Sequence, residues 1–222
     1  MAISMAAFPK ANARSALALA GAALLFVAAS DVALPGSALR IVGCRPAPID
    51  ASLARPEPLR EEAEARDAEQ QVLVDYLSRR YSIAAAATER MVETAHRAAR
   101  QVGLDPLLVL AVIAVESRFN PIAESVMGAK GLMQIIPRYH LAKLNQYGGE
   151  DAVLDPESNI LVGAQILQEY VYRTGTLEAG LQTYNGAARD GSAQYAQRVM
   201  AERERLEGVV RPVFALAAKG RI

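Results

Sequence analysis

Nine consecutive apolar residues, 107–115, lead without interruption into a single carboxylate, Glu116. The Asp-Pro pair at 105–106 is typical of a helix start, because Asp caps the first free amides and proline suits the first helical position. The Asn-Pro pair at 120–121 disfavours any continuation of the helix. A helix that is apolar on all sides must be enclosed by other elements, so this segment predicts the buried centre of a packed domain.

The carboxyl group of Glu116 lies where its ionised form is costly. Burying an unpaired carboxylate is unfavourable, and the last turn of a helix carries the negative end of the helix dipole. Both effects raise the pKa of the group. A carboxyl that keeps its proton near neutral pH is suited to act as a general acid. The alternative is a helix-end glutamate whose side chain points into solvent.

The segments around this helix follow a helical pattern as well. Apolar residues at helical spacing occur in residues 84–101, and a second Asp-Pro start at 155–156 opens a segment that Gly175 ends. No run alternates between apolar and polar residues convincingly enough to indicate a strand. We therefore predict an all-α fold, with one domain of six or more helices at residues 82–206 and a C-terminal tail at 207–222.

Three further regions are predicted before this domain. Residues 1–30 carry a basic start and a short apolar stretch, as in a secretory signal peptide or an uncleaved membrane anchor. Residues 31–60 are rich in proline and predict an extended linker. Residues 61–81 are charged and then amphipathic, and predict a helix that leads into the domain. A signal or anchor of this kind places the protein in the periplasm or cell envelope.

The single cysteine, Cys44, follows Ile-Val-Gly and resembles the lipobox of a bacterial lipoprotein. The gap between Cys44 and the apolar stretch favours an ordinary loop cysteine over a lipidated one. Membrane attachment through the N-terminus or through Cys44 therefore stands beside signal cleavage as an open alternative. A lone cysteine also excludes an intrachain disulfide.

Composition argues against two classes of function. Lys and Arg together number 24, as do Asp and Glu, and tryptophan is absent, so neither a basic surface nor a stacking platform for a nucleic acid is indicated. His96 and His140 are far apart and have no His or Cys neighbours at ligand spacing, so we expect no metal site. We expect no cofactor either.

Polar groups suited to a neutral ligand gather in two motifs. The loop at 128–134 has two glycines three residues apart and ends on the amide of Gln134, while Tyr184 and Asn185 precede Gly186 at a helix end. Each motif alone is more often a turn or a helix terminus. Together with a protonated Glu116, they predict a site for a substrate rich in hydroxyl and amide groups, such as a sugar.

The joint pattern closely resembles the lytic transglycosylase domain of glycoside hydrolase family 23. The resemblance covers residues 104–199: Glu-Ser-Arg-Phe-Asn-Pro at 116–121, Gly-Ala-Lys-Gly-Leu-Met-Gln at 128–134, the stretch at 159–164 and Tyr-Asn-Gly at 184–186, in order and spacing. It implies a lysozyme-like α-helical fold that acts on the glycan strands of peptidoglycan.

The resemblance assigns roles to individual residues. It implies that Glu116 is the catalytic acid and base, and that Ser125 and Gln134 line the cleft. Met133 lies in the same motif as Gln134. Tyr184 is implied to be the tyrosine near the glutamate.

Two further residues belong to the later motifs. Asn185 lies where the family usually has Tyr-Asn-Ala-Gly and this chain has Tyr-Asn-Gly-Ala. Tyr195 fits the last motif and is expected to close the cleft by packing. All of these residues except Glu116 are expected to bind substrate.

The motifs supply one catalytic carboxylate, whereas most glycosidases use two. Glu124 is in a loop, and Asp155 and Glu157 look occupied by capping. The family resemblance implies that the substrate's own N-acetyl and C6 hydroxyl groups complete the reaction, leaving 1,6-anhydromuramic acid. The alternatives are a goose-type lysozyme-like hydrolase and a non-catalytic peptidoglycan-binding assembly protein. A secretion or pilus machine is a conceivable partner for either an enzyme or a binding protein.

Overall fold

The computed structural model describes residues 57–219 of the chain. The predicted signal or anchor at 1–30, most of the linker predicted at 31–60, and Cys44 lie outside the described residues. Within the described range, no helix is both long and apolar enough to cross a membrane.

The described residues form helices joined by loops, which confirms the predicted all-α class. No β-strand occurs between residues 57 and 219, where only isolated bridges pair Lys130 with Glu124 and with Ile135. The α-helices are α1 (Glu57–Tyr81), α2 (Ala85–Val102), α3 (Pro106–Glu116), α4 (Pro137–Leu144), α5 (Pro156–Thr174), α6 (Leu177–Tyr184) and α7 (Gln194–Lys219). Two short 3-10 helices, Asn145–Tyr147 and Glu150–Leu154, connect α4 to α5.

Helix α3 is the centre of the domain, as its apolar composition predicted. Residues 107–114 are all buried, and Leu110 and Ile113 have no exposed surface. The expected N-cap is present, because the side chain of Asp105 accepts a hydrogen bond from the Leu107 amide at 2.9 Å. Helices α2 and α7 pack against α3 and enclose it.

Helix α1 lies against α2 and α7 and buries Leu73 and Leu77 completely. The structure therefore places this helix in the same hydrophobic core as α3. It begins at Glu57, inside the region predicted as linker.

Helix α7 continues to Lys219, past the predicted end of the domain at residue 206. Leu206 and Val210 are both buried in the main core, and this burial favours helix beyond that point. Between α3 and α4, residues 117–136 form a long loop beside the C-terminal end of α3.

Candidate functional site

Glu116 is the last residue of α3, in the last turn as predicted, and its carboxyl group is half-buried and hydrogen-bonded. Its Oε1 accepts a hydrogen bond from the hydroxyl of Tyr195 at 2.6 Å. Burial raises the pKa of Glu116 above its usual value, while the Tyr195 hydrogen bond and the positive charge of Arg198 act in the opposite direction. The raised pKa agrees with the sequence-based expectation, and a half-buried carboxyl of this kind is suited to act as a general acid.

Tyr195 lies in the first turn of α7, 79 residues beyond its partner Glu116. Only 2% of its surface is exposed, and burial together with the neighbouring Glu116 raises the pKa of its phenol far above the ordinary value. The hydroxyl therefore stays protonated and acts as a hydrogen-bond donor. The expectation that Tyr195 serves by packing is thus incomplete, because its hydroxyl holds the carboxylate.

Tyr184 lies near Glu116, as the resemblance implied, but it is not hydrogen-bonded to it. Its hydroxyl donates to the backbone carbonyl of Met133 at 2.8 Å, so Tyr195, and not Tyr184, is the tyrosine bonded to Glu116. The pKa of Tyr184 is raised well above its usual value, first by burial and then by the charge of Glu116, so the two groups are near each other. Tyr184 connects α6 to the loop that carries Met133.

The side chain of Gln134 stabilises the loop at 117–136. Its Nε2 donates to the carbonyls of Ala123 at 3.1 Å and Gly131 at 3.0 Å. The backbone of Gln134 has a φ of 49°, a conformation that a non-glycine residue adopts at some cost. The amide hydrogens that were expected to bind a ligand are therefore committed to the loop itself.

Ser125 has a similar role within the same loop. Its Oγ accepts a hydrogen bond from the amide of Ala129 at 3.1 Å, and its own amide donates to the Ala129 carbonyl at 2.9 Å. Ser125 closes the tight turn that precedes Lys130. Its hydroxyl is half-buried, and its acceptor side is engaged by this turn.

The side chain of Met133 is fully buried and has no surface open to a ligand in this structure, so its place among the substrate-binding residues stays a prediction. Its amide donates to Oδ1 of Asn159 at 2.7 Å, and Nδ2 of Asn159 donates to the carbonyls of Lys130 and Val153. Asn159 is itself buried in α5 and ties that helix to the loop. The sequence analysis included Asn159 in the family pattern but gave it no role. A polar residue among the apolar positions of α5 was the signal that could have indicated one.

Gly131 is needed where Asn159 meets the loop. Its φ is 79°, and a Cβ at this position would lie 2.3 Å from Nδ2 of Asn159. A side chain is excluded both by the backbone conformation and by the space. The glycine of the motif thus allows the loop to approach α5 closely.

A groove of about 270 Å³ opens next to Tyr184, and we call it the tyrosine groove. Gln134, Tyr184 and Asn185 share it, so three of the predicted residues are brought together there. Asn185 is exposed at the C-terminal end of α6. Tyr139 and Tyr170 also line the groove, and the sequence analysis missed both. Ser125 is not among the residues that line it.

The other candidate carboxylates are occupied elsewhere. Glu124 is exposed and lies 3.7 Å from Nζ of Lys130, and Asp155 caps α5 by accepting from the Ser158 amide at 2.8 Å. Glu157 pairs with Arg97 at 2.5 Å, so an ion pair, and not capping, engages it. Among residues 57–219, no group of three or more His, Cys, Asp and Glu side chains is arranged to hold a metal ion.

Comparison with known proteins gives consistent relatives. The chain is 36% identical over 131 residues to a transglycosylase of Enterobacteria phage PRD1, and the match covers 57% of this chain and 48% of the phage protein. It is 42% identical over 69 residues to the soluble lytic murein transglycosylase of Salmonella typhimurium, covering 29% of this chain and 10% of that one. The chain thus spans less than half the length of either relative.

Among solved structures, an inactive mutant of the lytic transglycosylase Slt of Pseudomonas aeruginosa matches with a TM-score of 0.49 and 20% identity, over 54% of this chain and 24% of that chain. The model of the transglycosylase SLT domain family matches residues 93–205, just over half of the chain. That stretch runs from within α2 into α7 and contains Glu116, Tyr195 and the loop between α3 and α4. The chain belongs to the transglycosylase SLT domain family.

Proposed function

We propose that this protein is a peptidoglycan lytic transglycosylase that cleaves the β-1,4 bond between N-acetylmuramic acid and N-acetylglucosamine. The observation that carries the proposal is a half-buried Glu116 of raised pKa, bonded to Tyr195, with the other candidate carboxylates engaged elsewhere. The names of the phage and Salmonella relatives support the same activity.

The first step is protonation of the glycosidic oxygen by Glu116. Its raised pKa keeps the carboxyl protonated closer to neutral pH, and Tyr195 fixes the oxygen that does not carry the proton. As the C1–O bond breaks, the carbonyl oxygen of the N-acetyl group on the same sugar attacks C1 and forms an oxazolinium-like intermediate. This neighbouring group takes the place of a second carboxylate.

The second step returns the proton to Glu116. Glu116, now a carboxylate, accepts the proton of the sugar's C6 hydroxyl, and the C6 oxygen attacks C1 and opens the oxazolinium ring. The product is a 1,6-anhydromuramic end, and no water is consumed. The Tyr195 hydroxyl stabilises the ionised carboxylate between the two steps, because a donated hydrogen bond favours the charged form.

Other residues act through position. Ser125 and Gln134 maintain the loop between α3 and α4, and Tyr184 anchors that loop to α6. In the proposal, the tyrosine groove holds the sugar, with the exposed amide of Asn185 and the ring of Tyr139 at its surface. No cofactor takes part in these steps.

The proposal also includes the place of action. Peptidoglycan lies outside the cytoplasmic membrane, so the enzyme would act in the periplasm or cell envelope. Residues 1–30 would serve as the export signal or anchor, with Cys44 as an alternative point of attachment. A small domain that cleaves the cell wall could also act together with a secretion or pilus machine, by opening the peptidoglycan where the machine assembles.

The product of digestion tests the proposal. Purified protein is incubated with peptidoglycan, and the released fragments are analysed by mass spectrometry. We expect 1,6-anhydromuramic ends, which are lighter by one water than the reducing ends that a goose-type hydrolase leaves. Reducing ends would replace transglycosylation with hydrolysis, and binding without any cleavage would indicate a non-catalytic protein.

The same assay tests the role of Glu116. Glu116→Gln should lower turnover by at least about 100-fold, since the amide cannot donate a proton as an acid does. Glu124→Gln is the matched control, because this nearby carboxylate is exposed and should leave turnover close to that of the wild type. Retention of most activity by Glu116→Gln would remove Glu116 from the catalytic role.

A further inference from the structure

A second groove, of about 470 Å³, lies beside Glu116 and is rich in arginine. We call it the arginine groove, and the residues that line it are Arg80, Tyr81, Ala114, Val115, Arg118, Arg198 and Glu202. Three guanidinium groups and one carboxylate therefore face this space. The tyrosine groove shares none of these residues.

The arginine groove begins next to the catalytic carboxyl group. Val115 and Arg118 flank Glu116 on the chain, and Arg198 is close enough for its charge to act on Glu116. The guanidinium carbon of Arg198 lies 5.8 Å from the centre of the Tyr195 ring, and the hydroxyl of that ring is bonded to Glu116. A substituent of the substrate that binds in this groove would therefore belong to a sugar close to the bond that is cleaved.

The one carboxylate of the groove is already neutralised. Glu202 is buried, its Oε1 accepts from the Tyr81 hydroxyl at 3.2 Å, and Nε of Arg80 lies 3.7 Å from the same oxygen. Arg205 binds its other oxygen. The negative charge of Glu202 is therefore balanced by Arg80 and Arg205. Glu202 does not need the two other arginines of the groove as partners.

Arg118 and Arg198 are left without an ion pair. Neither forms a salt bridge or a side-chain hydrogen bond to any of residues 57–219, and both side chains are exposed. Arg118 has a φ of 53° and precedes Phe119, which has a φ of 64° and is anchored in the core against the ring of Tyr81 at 5.0 Å. The anchored Phe119 thus fixes the turn that presents Arg118 to the groove.

One wall of the groove comes from outside the family match. Arg80 and Tyr81 end α1, whereas the family model begins at residue 93. Helix α1 is fixed by the burial of Leu73 and Leu77 against α2 and α7, so the wall is a rigid part of the domain. Two of the seven residues that line the groove therefore lie outside the stretch that the family model matches.

We propose that the arginine groove binds a carboxylate carried by the glycan substrate, next to the bond that Glu116 cleaves. This inference rests on the proposed function. Muramic acid carries a lactyl arm that ends either in a free carboxylate or in a short peptide with carboxylates of its own. Arginine suits such a ligand, because the planar guanidinium forms two parallel hydrogen bonds to a carboxylate.

Kinetics on matched substrates test the groove. Four substrates are compared: strands that bear peptides, strands whose peptides have been removed to free the lactyl carboxylate, and each of these with its carboxylates chemically amidated. Arg118→Gln should raise KM about tenfold on a carboxylate-bearing strand, as expected for the loss of one charge-assisted hydrogen bond, with kcat little changed. On the amidated strands the same variant should match the wild type, and Arg118→Lys should recover part of the affinity.

Two variants control for loss of charge alone. Arg79→Ala removes the neighbouring exposed arginine of α1, and Arg211→Ala removes an exposed arginine roughly 20 Å along α7 from Arg198. Neither residue lines the groove, so both variants should keep the wild-type KM on all four substrates. An equal rise in KM on charged and amidated strands would assign Arg118 a structural role and overturn the proposal.

Binding separates the groove from the reaction. The affinity of the Glu116→Gln protein for each uncleaved strand is measured by calorimetry, with and without Arg118→Gln. A preference for carboxylate-bearing strands that Arg118→Gln removes would support the groove even if no strand were cleaved, a result that would refute only the proposed function. Cleavage by the wild type without any such preference would refute only the groove. If Arg118→Gln loses affinity for the peptide-bearing strands, a peptide carboxylate is bound. If it loses affinity for the peptide-free strands, the lactyl carboxylate is bound.

Discussion

The Glu116 carboxyl and the Tyr195 hydroxyl determine each other's protonation. Burial favours the neutral acid, and the hydrogen bond from Tyr195 favours the carboxylate. Burial is the larger effect, so the pKa of Glu116 is raised, but by less than burial alone would raise it. In the proposed reaction, Glu116 gives its proton away and takes one back within a single turnover. A pKa raised by burial but moderated by one donor is suited to both steps.

Replacing Tyr195 by phenylalanine should shift the pH dependence of the reaction. Without the hydroxyl, the carboxylate form of Glu116 loses a donor, so the pKa of Glu116 rises further. In the proposed mechanism, activity requires the protonated acid and is lost as pH rises through that pKa. The alkaline limb of the kcat/KM profile should therefore move to higher pH in Tyr195→Phe, while kcat falls because the carboxyl is less firmly oriented.

Tyr184→Phe is the control for that measurement. Its hydroxyl donates to the Met133 carbonyl, so its loss should cost stability of roughly 1 kcal/mol, typical of one hydrogen bond. The alkaline limb should stay at the wild-type pH. A shift of the limb in Tyr184→Phe, or a shift to lower pH in Tyr195→Phe, would contradict the assignment of the two tyrosines.

The sequence singled out Glu116 as the candidate acid and placed Tyr184 near it, but it did not predict the hydrogen bond from Tyr195. Glu116 could be found because an isolated carboxylate at the end of an apolar run is conspicuous in the sequence. The partner of its oxygen depends on how α7 packs on α3, and such packing leaves no local signal. The same holds for Gln134, whose amide looked free for a ligand but binds the carbonyls of its own loop.

At the scale of the elements, local start signals predicted two helices well. The Asp-Pro pairs at 105–106 and 155–156 both begin helices, and both aspartates cap the first turn as expected. The sequence analysis missed α4 and the 3-10 helices after it, because these short elements depend on packing around a small second core. The continuation of α7 past residue 206 was missed because the segment contains Gly208 and Pro212, two residue types that disfavour the interior of a helix.

Gly163 is a contact point between α5 and the loop above it, and its replacement by alanine should be destabilising. A Cβ at this position would lie 2.5 Å from Sδ and 2.8 Å from Cβ of Met133. The sulfur could move, but the Cβ of Met133 is fixed by the backbone that Asn159 holds. Gly163→Ala should therefore lower the free energy of unfolding by about 1–3 kcal/mol, measured by urea denaturation.

Gly208→Ala is the matched control for this substitution. Gly208 is an exposed position in α7 with open space around its Cα, so alanine should leave stability unchanged or raise it by roughly 0.5–1 kcal/mol through its greater helix propensity. If both variants had the same stability as the wild type, the close packing of α5 under Met133 would be excluded.

At the scale of the whole molecule, His96 links stability to pH. It is buried in α2, its Nε2 has no hydrogen-bond partner among the described residues, and burial and the charge of Arg100 lower its pKa from 6.5 to about 4, opposed by Asp105. In the unfolded chain the histidine binds a proton more readily. Through His96, the free energy of unfolding is therefore highest above pH 6.5 and decreases as pH falls from 6.5 toward 4.

Replacing His96 by leucine should reduce the loss of stability in acid. The wild type should lose about 2 kcal/mol between pH 8 and pH 5 through this group, and His96→Leu should lack that part of the loss in urea denaturation at the two pH values. Thr94→Val changes a buried polar residue of the same helix that does not titrate, so its effect should be the same at both pH values. An unchanged pH dependence in His96→Leu would show that His96 is not protonated on unfolding.

The hydrogen bond between Glu116 and Tyr195 joins two points that are 79 residues apart in the chain. During synthesis, Glu116 emerges long before the residue whose hydroxyl is bonded to it. The proposed acid is thus incomplete until α7 has been made and has packed on α3, so a partly synthesised chain would carry no finished catalytic site. The order of residues along the polypeptide would delay the proposed activity until folding is nearly finished.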